Sequence, residues 1–69
     1  SQFLSLHNAL ERLIELDERK AKILELDIFA GLNIQQIADL YGVSVRTIER
    51  ELKFSKAWVY RELALVESA

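Results

Sequence analysis

Proline is absent from this 69-residue chain, and glycine occurs only twice, at Gly31 and Gly42. These two residue types are the strongest local punctuation a sequence carries, so few positions are equipped to reverse the chain. The apolar–polar alternation that marks strands is also missing, and apolar residues recur instead at spacings of three and four. The chain is expected to be all-α: four helices over about 3–16, 18–30, 34–41 and 45–66, joined by short connections.

The expected helices follow from faces and caps. Leu6, Leu10, Leu13 and Ile14 share one face of the first helix. Asp17 fits as the cap of the second, with Glu18 in its first turn. The second helix presents Ala21, Leu24 and Ile28, widened by Ile23 and Leu26, and is stopped by Gly31. Asn33 and Gln36 have the spacing of a capping box at the start of the third helix, whose Ile37 and Ala38 face inward. Ser44 caps a long fourth helix with the stripe Val45, Ile48, Leu52, Val59, Leu63 and Val66, with the small Ser55 in the same row. Phe54 and Trp58 form a second row, and these two with Tyr41 are expected to serve as core, not as stacking platforms.

Size and composition bound the function. The length suits one domain spanning 1–69, with 51% hydrophobic and 29% charged residues, as in a folded domain. No repeat, low-complexity segment or linker interrupts it. The absence of cysteine excludes disulfides and thiolate metal sites. His7 stands alone, and no carboxylate pairs with a nucleophile, so neither enzyme nor cofactor is expected. No apolar run approaches the roughly 20 residues a membrane span needs, and no signal peptide is visible, so a cytoplasmic location is expected. The chain begins at Ser1 and not Met, which reads as a piece of a longer protein.

The net charge of −2 is unevenly spread. Residues 1–42 carry −3, residues 43–61 carry +3 through Arg46, Arg50, Lys53, Lys56 and Arg61, and the last eight residues carry −2. A basic island in an acidic domain is the footprint of a local nucleic-acid contact.

That island overlaps the most informative stretch, NIQQIADLYGVSVRTIERELKF, residues 33–54. A helix-turn-helix needs two helices crossing steeply with few residues between them. Ala38 permits close approach, Gly42 allows a positive φ, Val43 plugs the space between the helices, and Ile37 and Ile48 pack across the crossing. Ser44 caps the second helix and leaves its first turn projecting into a major groove. With Val45, Ile48 and Leu52 turned inward, the outer face shows Arg46, Thr47, Glu49, Arg50 and Lys53, with Ser44 and Val45 at its leading edge. Arg46 and Arg50 are suited to guanine edges, and Glu49 to cytosine or to orienting a neighbouring cation. Val45, Arg46, Glu49, Arg50 and Lys53 are the expected base readers. Ser44, Thr47, Lys56 and Gln35 are expected at the phosphate backbone, with the free amides near Ile34 and Gln35 as a further phosphate contact.

Residues 9–63 resemble the carboxy-terminal domain of bacterial sigma factors of the extracytoplasmic-function type. The resemblance is carried by the Leu16-Asp17 step, the Phe29-x-Gly31-Leu32 helix end, the Ile37-Ala38 pair, Gly42-Val43-Ser44, Thr47-Ile48 followed by Arg50, and the tail AWVYREL, residues 57–63. It implies a region 4 domain that reads the −35 promoter element in double-stranded DNA while bound to RNA polymerase core. It implies docking on the flap of the polymerase β subunit, with anti-sigma factors as blockers of these surfaces. The promoter-melting domain that contacts the −10 element is expected elsewhere. Two departures stand out: Asp17 is followed by Glu18 where many relatives have proline, and Glu49 and Glu51 sit among the bases of the recognition helix.

Two alternatives remain open at this level. A LuxR-type response-regulator DNA-binding domain has a similar plan, although its fourth helix is usually short, whereas this one continues through Trp58 and Leu63. A protein-interaction module would use the basic helix to dock an acidic partner. The apolar residues left over once the core is filled, Phe3, Leu4, Leu65 and Val66 among them, are expected to complete the core or cap the helix ends, with docking on the polymerase flap as the other reading.

Overall fold

The computed structural model describes residues 2–68, and these form four helices: α1 (Gln2–Leu16), α2 (Glu18–Ile28), α3 (Ile34–Tyr41) and α4 (Val45–Ser68). The fold is all-α, as the lack of strand patterning requires. The side chains of Phe3 and Val66 lie outside the described residues.

The starts of α2, α3 and α4 are each set by a short-range hydrogen bond. A single residue, Asp17, separates α1 from α2. Its extended backbone (φ −156°, ψ 95°) breaks the helix, and its carboxylate accepts the Lys20 amide at 3.1 Å and pairs with Lys20 Nζ at 3.0 Å. At α3 the capping box is complete: Asn33 Oδ1 accepts the Gln36 amide at 2.8 Å, and the Asn33 amide donates to Gln36 Oε1 at 2.9 Å. At α4 the Thr47 amide donates to Ser44 Oγ at 3.1 Å.

The hydrogen bond that the Lys20 backbone amide donates, reinforced by the Lys20 ammonium, holds the Asp17 carboxyl below its ordinary value of 3.8. A carboxyl lowered in the folded state adds stability that is complete above the ordinary value and disappears as pH falls through the lowered one. Asp17→Asn is therefore expected to flatten the acid limb of the stability curve below about pH 4, with little change of slope near neutrality. Urea melts followed by circular dichroism across pH 2–7 provide the check, and an unchanged acid limb would contradict this role.

The helix ends use the two glycines. Gly42 adopts a left-handed conformation (φ 66°, ψ 34°) after α3. The Gly42 amide reaches the Asp39 carbonyl at 3.3 Å, and the Val43 amide reaches the Ala38 carbonyl at 3.1 Å, satisfying carbonyls the helix leaves open. The second helix ends at Ile28, two residues before the expected 30, because its hydrogen bonds widen there. Ala30 donates to Glu25, five residues back, and Leu32 to Leu26, six residues back, on either side of Gly31 at φ 68°.

The core joins all four helices: Ala9, Leu10 and Leu13 from α1, Ala21, Ile23 and Leu24 from α2, Ile37 and Ala38 from α3, and Ile48, Leu52 and Val59 from α4. Ser55, fully buried in the same row of α4, donates Oγ–H to the Glu51 carbonyl at 2.8 Å, so no hydrogen bond is lost to its burial. The 24 residues of α4 span roughly 36 Å, which accounts for a domain 40 × 18 × 17 Å in extent. Beyond the helix-turn-helix, α4 runs along α1, where Arg12 pairs with Glu62 at 3.2 Å.

Three side chains of the expected apolar rows lie outside, and Leu4 and Leu65, 57% and 56% exposed, do not complete the core either. Ile14 and Ile28 are 41% and 44% exposed, because the burial that α1 and α2 offer is taken by Leu13 and by Ile23 and Leu24. Phe54 is 50% exposed, since its position on α4 faces the α1–α2 corner instead of the interior. Tyr41 and Trp58 are half-buried against the core, as expected.

Candidate nucleic-acid interface

Helices α3 and α4, with Gly42, Val43 and Ser44 between them, form the helix-turn-helix. Ile37, Ala38 and Ile48 are buried at its crossing, and Val43 packs half-buried against them. Burying Ile48, Leu52, Ser55 and Val59 fixes the rotation of α4 about its axis, and at 100° per residue the opposite face is then determined. Arg46, Glu49, Arg50 and Lys53 occupy that face, and all four are exposed.

The pairing of the charges separates this face from the cations on its flanks, although Lys22 and Arg61, away from the face, also hold no carboxylate among the described residues. Arg12, Arg19, Lys20 and Lys56 each hold a carboxylate, from Glu62, Glu51, Asp17 and Asp27 respectively. Among the described residues, Arg46, Arg50 and Lys53 hold none, although Glu49 and Glu51 are close in sequence. Glu51 does not sit on the outer face with the bases: its side chain is only 14% exposed and is drawn to Arg19 on α2, 3.1 Å away. The recognition face thus carries one acidic residue, Glu49, and not the two expected.

The remaining candidates are placed less uniformly. Ser44 and Thr47 hydroxyls bond each other at 2.9 Å within the cap of α4, at the leading edge of the face. Val45 is half-buried against the core, as its place in the apolar stripe demands, so only part of it is open to a ligand. Gln35 is exposed on α3 and donates to Asp39 at 2.9 Å. Lys56 lies on the flank towards α2 and pairs with Asp27 at 3.1 Å, so a phosphate contact by Lys56 requires that pair to open.

Sequence reasoning missed the other flank of α4. Leu16, Asp17 and Lys20 at the α1–α2 corner and Thr47, Arg50, Glu51 and Phe54 on α4 line an open groove of about 700 Å³. Lys20 Nζ lies 5.5 Å from the Phe54 ring centre, and the Arg19 guanidinium 5.4 Å from that of Tyr41. These contacts join residues more than twenty positions apart, and no local spacing signals them. His7 pairs with Glu11 at 2.9 Å, and among the described residues no group of three or more His, Cys, Asp or Glu is placed to hold a metal ion.

A four-helix domain with a helix-turn-helix and an unpaired cationic face on its second helix defines a DNA-binding protein of the helix-turn-helix class. The family model described as ECF sigma factor matches residues 1–65. The chain belongs to the ECF sigma factor family, and its architecture is consistent with the region 4 domain of such factors. Comparison with curated proteins gives no match, nor does comparison with solved structures. Membership selects the sigma factor reading over the response regulator. It carries a role in promoter recognition during transcription initiation, with RNA polymerase and promoter DNA as partners, in a family of non-enzymatic initiation factors. No helix among the described residues is long and apolar enough to cross a membrane.

Proposed function

We propose that this chain reads the −35 promoter element, with the outer face of α4 lying in the major groove. The observation that carries the reading is the set of unpaired, exposed cations Arg46, Arg50 and Lys53 on the second helix of the helix-turn-helix, beside neighbours whose charges are paired. Arg46 and Arg50 read base edges, and Lys53 reaches a base or phosphate beyond them. Glu49 accepts from a cytosine amino group or orients one of the arginines. The exposed part of Val45 adds an apolar contact at the leading edge. Ser44, Thr47, Gln35 and, once released from Asp27, Lys56 hold the phosphate backbone, aided by the open amides of Ile34 and Gln35.

In the same reading the domain works in the cytoplasm while bound to polymerase core, docked on the β flap, with an anti-sigma factor able to cover these surfaces. Leu4 and Leu65 are 57% and 56% exposed, which supports an apolar docking surface away from the DNA face. Selection of duplexes from random DNA by this chain is expected to enrich one short sequence of about a major-groove site. Enrichment of no sequence, with binding to every duplex equally, would overturn base reading and leave only a charged surface.

A further inference from the structure

We propose that Arg19, on α2, is a positioning residue for the DNA-reading face of α4 and acts through Glu51; the inference rests on the reading of that face given above. Glu51 is an acidic residue inside the basic island, between Arg50 and Lys53. An unpaired carboxylate there opposes DNA phosphates, because α4 with its side chains is about 10 Å across and the Debye length is about 8–10 Å in ordinary salt. Arg19 removes that opposition by holding the carboxylate on the inner flank, Nη2 to Oε2 at 3.1 Å.

Arg19 also reaches the corner of the helix-turn-helix. Its guanidinium lies 5.4 Å from the ring centre of Tyr41, the last residue of α3, immediately before Gly42. A planar guanidinium serves both neighbours at once, stacking on a ring and bonding a carboxylate at its edge. One side chain from α2 therefore meets the end of the first helix of the motif and the second turn of the second. Lys20, the next residue, is committed to Asp17 and Phe54 and does not compete for Glu51.

The test is a double-mutant cycle on the chain: Arg19→Gln, Glu51→Gln and the pair together. Affinity is read by fluorescence anisotropy with a duplex recovered by selection. Arg19→Gln is expected to weaken binding about fivefold, within the range of coupling seen for contacting residues. Glu51→Gln alone is expected to change affinity less than about twofold, because its charge is already compensated, and the double variant to return to within about twofold of wild type. No loss in Arg19→Gln overturns the proposal. So does an equal gain from Glu51→Gln in both backgrounds, since the two residues then act independently. A double variant as weak as Arg19→Gln also overturns it, since Arg19 is then only a structural contact.

The Arg19 side chain is 47% exposed, so the substitution is compatible with folding, and far-ultraviolet circular dichroism verifies it. Arg19→Lys keeps the charge that holds Glu51 but not the planar stack on Tyr41, and is expected to lose clearly less affinity than Arg19→Gln, about twofold against about fivefold; a loss as large as that of Arg19→Gln counts against the proposal. Arg50→Ala, measured alongside, separates the two claims. If Arg50→Ala binds like wild type, the reading of the face has failed. If it loses affinity while the cycle is additive, only the role of Arg19 falls.

Discussion

Ile48→Ala is expected to remove most of the stability of this domain and, with it, the helix-turn-helix. Ile48 is fully buried and is the α4 residue packed at the crossing with α3. Truncating a buried isoleucine to alanine costs about 2–5 kcal/mol, the lost transfer energy plus the cavity left behind. A single core in a chain of this size rarely supplies more than about 3–5 kcal/mol, so the loss is comparable to the whole. Small domains lose about 4–8 °C of midpoint per kcal/mol, and a thermal melt should fall by more than about 10 °C or show no cooperative transition. Ile48→Val, which leaves a smaller void, should cost about 0.5–1.5 kcal/mol and keep the transition. Ile14→Ala and Ile28→Ala provide the internal contrast. Both residues are more than two-fifths exposed, so each should cost well under half of what Ile48→Ala does. Equal effects at all three positions would contradict the core described for this domain.

The same contrast shows what sequence spacing resolves. Caps at Asp17, Asn33 and Ser44 and the left-handed break at Gly42 were legible because each is closed within three residues of chain, where the residue types alone decide. The rotation of α4 was legible for a related reason: once Ile48 and Leu52 point inward, Arg46, Arg50 and Lys53 must point out. Ile14, Ile28 and Phe54 were not legible, because they sit at the edges of their apolar stripes. Whether an edge position is covered depends on where another helix crosses, and the periodicity of one helix does not carry that information. The charges follow the same rule. Glu51 and Lys56 lie in the basic island by sequence, yet Arg19 and Asp27, both on α2, draw them away from the outer face. Local pattern located the site, and tertiary pairing decided which of its charges are available.

That selection governs the prediction for DNA. Arg50→Ala is expected to lower affinity for a selected duplex by about 1–3 kcal/mol, the worth of one bidentate contact to guanine, or roughly 5- to 150-fold. Affinity for a scrambled duplex should fall much less, so the ratio of the two affinities is the quantity to measure. Arg50 is favoured over Arg46 for the larger effect because it also lines the groove with Thr47, Glu51 and Phe54. A side chain supported along its length has less freedom to lose on binding. Arg50→Lys should recover little of the specificity, since an ammonium cannot reproduce the paired donors of a guanidinium. Lys56→Ala should behave differently, weakening selected and scrambled duplexes alike and lowering the salt slope by at most about one. Its effect should be the smaller because Lys56 must first leave Asp27, whereas no carboxylate holds Arg50. Titrations of the three variants at several salt concentrations distinguish the roles. Equal binding of wild type and Arg50→Ala to the selected duplex would remove Arg50 from the reading face, and a fall in both duplexes by the same factor would reassign it to the phosphate backbone.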